Sequence, residues 1–225
     1  MKTYTFYSDS HKQILDDYYI KSFPYEKDLE LVIRNIPQDC PSASFMHAGW
    51  MSAMRKKMEY VVDSILETKG RDEFFVHSDC DIIFFDKFKD NIIEEIGNND
   101  IACIDDVNML CAGFFIARAN DKILKLFENV LKNMDHFSQS GSGDQIAMNY
   151  YIEDMGIKAK PLGKRYHNVF HSIEKEWTRD IAWNFDVPKD IIMHHANFTR
   201  GIETKMSLMD IMVSKCDYTK TTART

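Results

Sequence analysis

No window of the 225 residues approaches the roughly 20 consecutive apolar side chains of a membrane span, so no bilayer crossing is expected. The opening residues, "MKTYTFYSDS", enter a strand-like alternation without the apolar run of a signal peptide, and the expected location is cytoplasmic. Positive charge is short: 28 Lys and Arg stand against 35 Asp and Glu, a net charge of -7. That balance argues against a general nucleic-acid binder, because counterion release needs clustered cations. Cys40, Cys80, Cys103, Cys111 and Cys216 are odd in number and form no Cys-x-x-Cys pair. Neither a disulfide framework nor a zinc knuckle is indicated, and most of these thiols are expected to be small buried apolar groups. Internal repeats, low-complexity tracts and linker-like stretches are also missing. A single domain is therefore expected over residues 1–213, with a polar tail over 214–225 that could begin a linker to further domains in a longer chain.

What is present is a globular pattern, 44% hydrophobic and 28% charged, enough apolar side chain to build a substantial core. "KTYTFYSDS" reads as a first strand ending in a polar loop, and "LELVIRNIP" as a second, stopped by Pro37. Between Gly49 and Lys69, apolar residues recur at helical spacing (Met51, Met54, Met58, Val61, Val62, Ile65), and Gly70 follows as a C-terminal cap. "EFFVHSD" is a buried strand, "FKDNIIEEIG" a short helix, and "DIACIDDV" and "LCAGFFIARA" two more strands. "NDKILKLFENVLKNM" is an amphipathic helix capped by Asn120. "GSGDQIAMNYYIEDMG" is a loop entering a helix that ends at Gly156, and "KAKPLG" and "DIIMHHANF" supply late strands. Strands alternating with helices imply a mainly parallel α/β sheet covered on both faces, with ligands beyond the carboxyl ends of its strands.

One stretch raises a chemical problem. "EFFVHSDCDIIFF" brackets Asp79 and Asp81 with apolar and aromatic residues, where an uncompensated carboxylate is costly. On a strand, residues i and i+2 share a side, so the two carboxylates converge while Cys80 faces away. Convergent carboxylates repel unless they share a proton or a divalent cation. Read alone, Asp-x-Asp is often a turn cap beside a solvent-facing acid, but the flanking "FFVH" and "IIFF" count against that. Near the C-terminus, "IIMHHANFTRGIETK" places His194 and His195 after another buried strand, with Lys205 beyond. An imidazole added to two carboxylates tilts selectivity from magnesium towards manganese, and Lys205 could meet a phosphate as a point charge.

The combination of "HSDCDIIFF", "CAGFF", "GDQIAMN" and "HHANF...G...K", in that order from about Tyr4 to Lys205, resembles the nucleotide-sugar transferases of the GT-A fold. Within them it is similar to glycosyltransferases that chlorella viruses encode for capsid glycans. The resemblance implies a single Rossmann-like GT-A domain, a UDP-sugar donor and a glycan or glycoprotein acceptor. The sugar would be a hexose or a deoxyhexose such as glucose or rhamnose. It implies Mn2+, or Mg2+, held by Asp79, Asp81 and His195, with the doubled His194 leaving that ligand open by one residue. Asp79 would also contact the ribose, Lys205 the diphosphate, and Tyr7, Ser8 and Asp9 the nucleotide base. The helix carrying Arg55, Lys56 and Lys57 offers a basic group to the donor; Lys56 is the residue assigned, although which of the three faces inward is open. Asp106 and Gly113 would line the donor sugar, and Asp144 and Gln145 would act at the reacting carbon, in a retaining rather than an inverting sense. The chain departs from the family at Cys111 and Ala112, where an Asn often precedes the Gly-Phe pair; Asp105, Asp106 or Asn108 are the substitutes. Trp177, Trp183, Tyr166 and Phe170 are candidate acceptor rings, although core packing is the favoured reading for each.

Competing classes fit less well. A phosphotransferase Asp-x-Asp normally precedes a Thr or Ser, and here Ile82 and Ile83 follow. A nucleotidyltransferase wants a glycine-rich basic loop after the first strand, and "TFYSDSHKQ" has none. A non-catalytic carbohydrate- or nucleotide-binding GT-A module within a larger glycan-assembly protein remains the alternative.

Overall fold

The alternation of "KTYTFY" forms β1 (Lys2–Tyr7), whose four inner residues are all buried, as expected of a strand covered on both faces. Parallel strands β2 (Glu30–Asn35) and β3 (Phe74–Asp79) flank it. The computed structural model describes residues 1–106, 108–138, 143–170, 177–178 and 185–216. Its main sheet has six strands in the order β2-β1-β3-β6-β5-β7, with β5 at Ile101–Asp105, β6 at Leu110–Arg118 and β7 at Ala159–Pro161. β5 and β7 are parallel, whereas β6 runs antiparallel to both β3 and β5. The sheet is thus mostly parallel with one reversed strand at its centre, a reversal that apolar runs alone do not signal.

The chain does not continue straight through the two carboxylates. β3 ends at Asp79, and β4 (Ile82–Phe84) joins a second sheet of order β4-β9-β8, with β8 at Tyr166–Asn168 and β9 at Met193–His195. Two further differences from the sequence reading concern helices. The stretch after Ser8 is helical rather than a simple loop: α1 is assembled from a 3-10 turn (Asp9–His11), α turns at Lys12–Ile14 and Ile20–Ser22, and a π-helical stretch between them (Leu15–Tyr19). The chain beyond Gly201 forms a helix as well.

The remaining helices are α2 (Trp50–Thr68), α3 (Lys89–Ile96), α4 (Asp121–Phe137), α5 (Gly143–Asp154) and α6 (Ile202–Lys215). α4 starts as expected, with Asn120 Oδ1 accepting from the Ile123 amide at 3.0 Å; such a cap is worth about 1 kcal/mol. α6 runs two residues past the boundary assigned to the tail, and 217–225 lie outside the described residues.

Alternate residues of β3 and β6 divide the core. Phe75 and Phe115 face α2, α4 and α5 with Met58, Val61, Phe127 and Met134. Val76, Phe114 and Ile116 face the other way, towards Tyr19, Phe23, Phe84, Phe88 and Ile92. Each such side chain contributes about 1.5–3 kcal/mol on burial, which fixes the strand ends that carry the site. A third cluster packs α6 through Leu208, Met209 and Met212 against Ile83, Val169 and Trp177. Among the described residues no helix is long and apolar enough to cross a membrane.

Candidate functional site: an acidic cleft at the strand ends

A cavity of about 380 Å³ opens beyond the carboxyl ends of β1, β2 and β3. The break between the two sheets turns Asp79 and Asp81 towards it, so the carboxylates converge because the strand ends there, not because they alternate along it. His195, at the end of β9, pairs in register with Ile82 and completes the group. Its Nε2 lies 3.2 Å from Asp81 Oδ1 and 3.9 Å from Asp79 Oδ2, and one ligand atom from each of the three lies within 4.8 Å of the others. The neighbouring His194 is fully buried on the opposite side of the strand, 2.9 Å from His167 between their Nδ1 atoms. Alternation along β9 therefore separates the doublet, and only His195 reaches the carboxylates.

Gly113 makes this convergence possible. A Cβ on it would stand 2.4 Å from His195 Cε1 and 2.7 Å from Asp79 Oδ2, distances that side chains do not adopt. Cys111, two residues earlier, places its Sγ 3.8 Å from His195 Nδ1.

Two lysines compensate the acids. Lys205 Nζ donates to Asp81 Oδ2 at 2.5 Å and to the Ala196 carbonyl at 3.0 Å. Lys57, buried on α2, lies 3.1 Å from Asp79 Oδ2 and 3.4 Å from Asp144 Oδ2. Burial opposes ionisation of both strand-end acids, yet Lys57 and the His77 ring hold Asp79 below the usual carboxylate range, and Lys205 with His195 holds Asp81 well below it. Conversely, burial alone would lower Lys57, but Asp79 and Asp144 outweigh it and raise the ammonium above its ordinary value. Asp79 Oδ1 remains buried without a hydrogen bond, the His77 ring standing 3.5 Å away out of alignment.

The other expected residues are distributed as follows. Tyr7, Ser8, Asp106, Gly113, Asp144, Gln145, His195 and Lys205 all line the cavity. Gln145 donates to Asp106 Oδ2 at 2.8 Å and accepts from the Ala112 amide at 3.2 Å, while Asn168 and Asn197 reach Asp106 Oδ1, each at 3.4 Å. Asp9 is exposed and accepts from Asn35, outside the lining. Lys56 is also outside it, paired with Glu59 at 2.9 Å on the surface, and Arg55 turns to Asp135 and the Leu131 carbonyl. The inward member of that basic trio is Lys57. It sits three residues after Met54 and four before Val61, so a cation on the apolar stripe was the available signal.

Of the candidate acceptor rings, Trp177 and Tyr166 are 1% exposed core residues, Phe170 packs on Phe198 at 4.5 Å, and Trp183 lies outside the described residues. His11 was not singled out by sequence. It lines the cavity, bonds Ser10 Oγ at 3.0 Å, and burial and Lys205 lower its pKa.

The covered α/β sheet thus holds paired carboxylates, an imidazole and two lysines at its strand ends, over an open cleft. The family model for nucleotide-diphospho-sugar transferases matches residues 25–209, and the chain belongs to that family. A sequence search of curated proteins finds no match. Among solved structures, a glycosyltransferase involved in glycosylation of the major capsid of the virus PBCV-1 superposes with a TM-score of 0.65 at 9% identity, over 93% of this chain and 98% of that one. The glycosyltransferase GlyE of Streptococcus pneumoniae TIGR4 gives 0.56 at 12% identity, over 86% of this chain and 53% of its own, so the chain spans about half of GlyE. An active-site mutant of LgtC gives 0.50 at 12% identity, over 87% and 86% of the two chains. At these identities the likeness is one of fold.

Proposed function

We propose that the protein transfers a hexose or deoxyhexose, such as glucose or rhamnose, from a UDP-linked donor to a hydroxyl of a glycan, with retention at the anomeric carbon. The observation that carries this reading is the convergence of Asp79, Asp81 and His195 at the cleft floor. The residues fit a divalent cation on two counts: two carboxylates and an imidazole bring one ligand atom each within 4.8 Å of the others, and Gly113, lacking a Cβ, lets His195 and Asp79 close on one another. The mixed nitrogen and oxygen donors favour Mn2+, with Mg2+ the alternative. A cation held there would neutralise the charge that develops on the departing diphosphate.

The chain's own residues supply the rest. Lys205 offers a second positive charge to the diphosphate, and Tyr7 and Ser8 at the end of β1 receive the base. Asp106, fixed by Gln145, Asn168 and Asn197, orients the sugar hydroxyls, and Gly113 lines the donor-sugar pocket beside it. Asp144 is engaged by Lys57, an arrangement that suits a donor-sugar contact better than proton abstraction. In the retaining course the bond from the anomeric carbon to the phosphate oxygen breaks, the acceptor oxygen bonds to that carbon on the same face, and its proton passes to the departing phosphate. The motif resemblance supports a capsid glycoprotein of a chlorovirus as the source of the acceptor glycan.

The test is UDP release from UDP-glucose, UDP-galactose and UDP-rhamnose with Mn2+, with and without chelator. Metal-dependent release from at least one donor supports the proposal. Release from none, by protein that binds UDP, would instead indicate the non-catalytic binding module.

A further inference from the structure

One wall of the cleft is a single face of α2. Trp50, Ala53, Met54 and Lys57 line it, at the i, i+3, i+4 and i+7 spacing that stacks side chains along a helix. Lys57 meets Asp79 and Asp144 at the floor. Trp50 begins the helix seven residues earlier, about 10 Å away along the axis. Phe45, 43% exposed, packs edge-on against Trp50 with ring centroids 4.8 Å apart and planes at 72°, and both rings line the cavity.

The rings are held at that rim by the backbone. Gly49 has a φ of +83°, and a Cβ there would overlap the Asp39 carbonyl, so the 39–40 backbone packs directly on the start of α2. Asp39 lines the same rim and accepts from Ser52 Oγ through Oδ2 at 2.6 Å. Met51, on the same turn, approaches Gly143, where a Cβ would meet Met51 Cε at 3.0 Å. The start of α2 therefore packs between the 39–40 backbone and the start of α5 that carries Asp144.

The chemistry of this rim selects its ligand. Exposed aromatic faces pair with the apolar C–H face of a pyranose, and a carboxylate beside them accepts from its hydroxyls. The same carboxylate disfavours a phosphate. We infer that Phe45, Trp50 and Asp39 form the acceptor subsite and take a neutral pyranose at the end of a glycan. This inference rests on the transferase reading above and adds to it the place and charge class of the acceptor.

The experiment applies the full chain, loaded with UDP and Mn2+, to an array of oligosaccharides ending in neutral hexoses and deoxyhexoses. Trp50→Ala, Phe45→Ala and Trp50→Phe are run beside it, with a melting midpoint for each. The wild type is expected to retain at least one such saccharide. Trp50→Ala and Phe45→Ala should weaken that retention by at least about tenfold, and Trp50→Phe should keep most of it. Phe45 is on the exposed loop, so its variant stands as the test if Trp50→Ala fails to fold. Unchanged retention in the folded alanine variants, or no retention by the wild type, overturns the inference. So does loss of UDP binding with the saccharide still retained, which would put the base on these rings. Calorimetry of UDP with Mn2+ on the wild type separates the two levels: with no heat the transferase reading itself fails, and with heat but no dependence on the rings only the subsite fails.

Discussion

Replacing Gly113 with Ala is the sharpest steric test of the cluster. The backbone at Gly113 is not in the left-handed region, so alanine brings no conformational penalty of its own, and the whole effect comes from the added methyl. That methyl would sit 2.4 Å from His195 Cε1 and 2.7 Å from Asp79 Oδ2. Carbon contacts are comfortable only at about 3.5–4.0 Å, so the ring must retreat by about 1 Å. Metal sites tolerate ligand displacements of only about 0.2 Å, so His195 and Asp79 could no longer converge with Asp81. Mn2+-dependent UDP binding, measured by calorimetry, should weaken at least about tenfold. Overpacking of this kind also costs about 1–3 kcal/mol, which at this chain length lowers the melting midpoint by roughly 2–12 °C. A Gly113→Ala protein that binds UDP and Mn2+ as tightly as the wild type would refute the reasoning, because the three side chains would then not need the space the glycine leaves.

Lys57→Met removes the cation between Asp79 and Asp144; breaking a buried pair in this way costs about 3–5 kcal/mol, and the melting midpoint should drop by roughly 6–20 °C, with partial recovery on adding Mn2+. Failure of Mn2+ to restore any stability would mean that the carboxylates do not bind it. Lys56→Ala, by contrast, should stay within about 0.5 kcal/mol of the wild type and leave UDP affinity unchanged in the same titration. In metal-free protein, Asp79 and Asp81 ionise more readily folded than unfolded. The stability they add is therefore complete above their unfolded value of about 4 and is lost as the pH falls through the depressed folded values. The melting midpoint should decline on acidification below about pH 4, and a midpoint that rises there would contradict the assignment.

Elements with a strong local signal were legible in the sequence. The apolar runs of β3 and β6, the helical stripe of α2 and the Asn120 cap of α4 each state their own conformation. What escaped depends on partners distant in the chain. The antiparallel direction of β6 is set by its neighbours, and the break after Asp79 by pairing of β4 with β9, more than a hundred residues on. The same holds within the site. Asp79, Asp81 and Lys205 were expected from their surroundings, whereas choosing His195 over His194 needed the strand register, and choosing Lys57 over Lys56 needed the rotation of α2 against β3. Trp177 and Tyr166 were acceptor candidates by residue type with core packing the favoured reading, and the small second sheet and α6 do bury them. The rings that reach the rim, Phe45 and Trp50, lie in a stretch with no periodic signal until the helix begins.

The central claim is that Asp79, Asp81 and His195 bind a divalent cation that holds a nucleoside diphosphate. Calorimetric titration of UDP into the purified chain tests it most directly, with Mn2+ present, with the metal chelated, and on Asp81→Ala with Mn2+ present. The account predicts a binding heat that requires the metal and disappears in the variant. Binding of equal strength in all three conditions, or no binding in any of them, would contradict it.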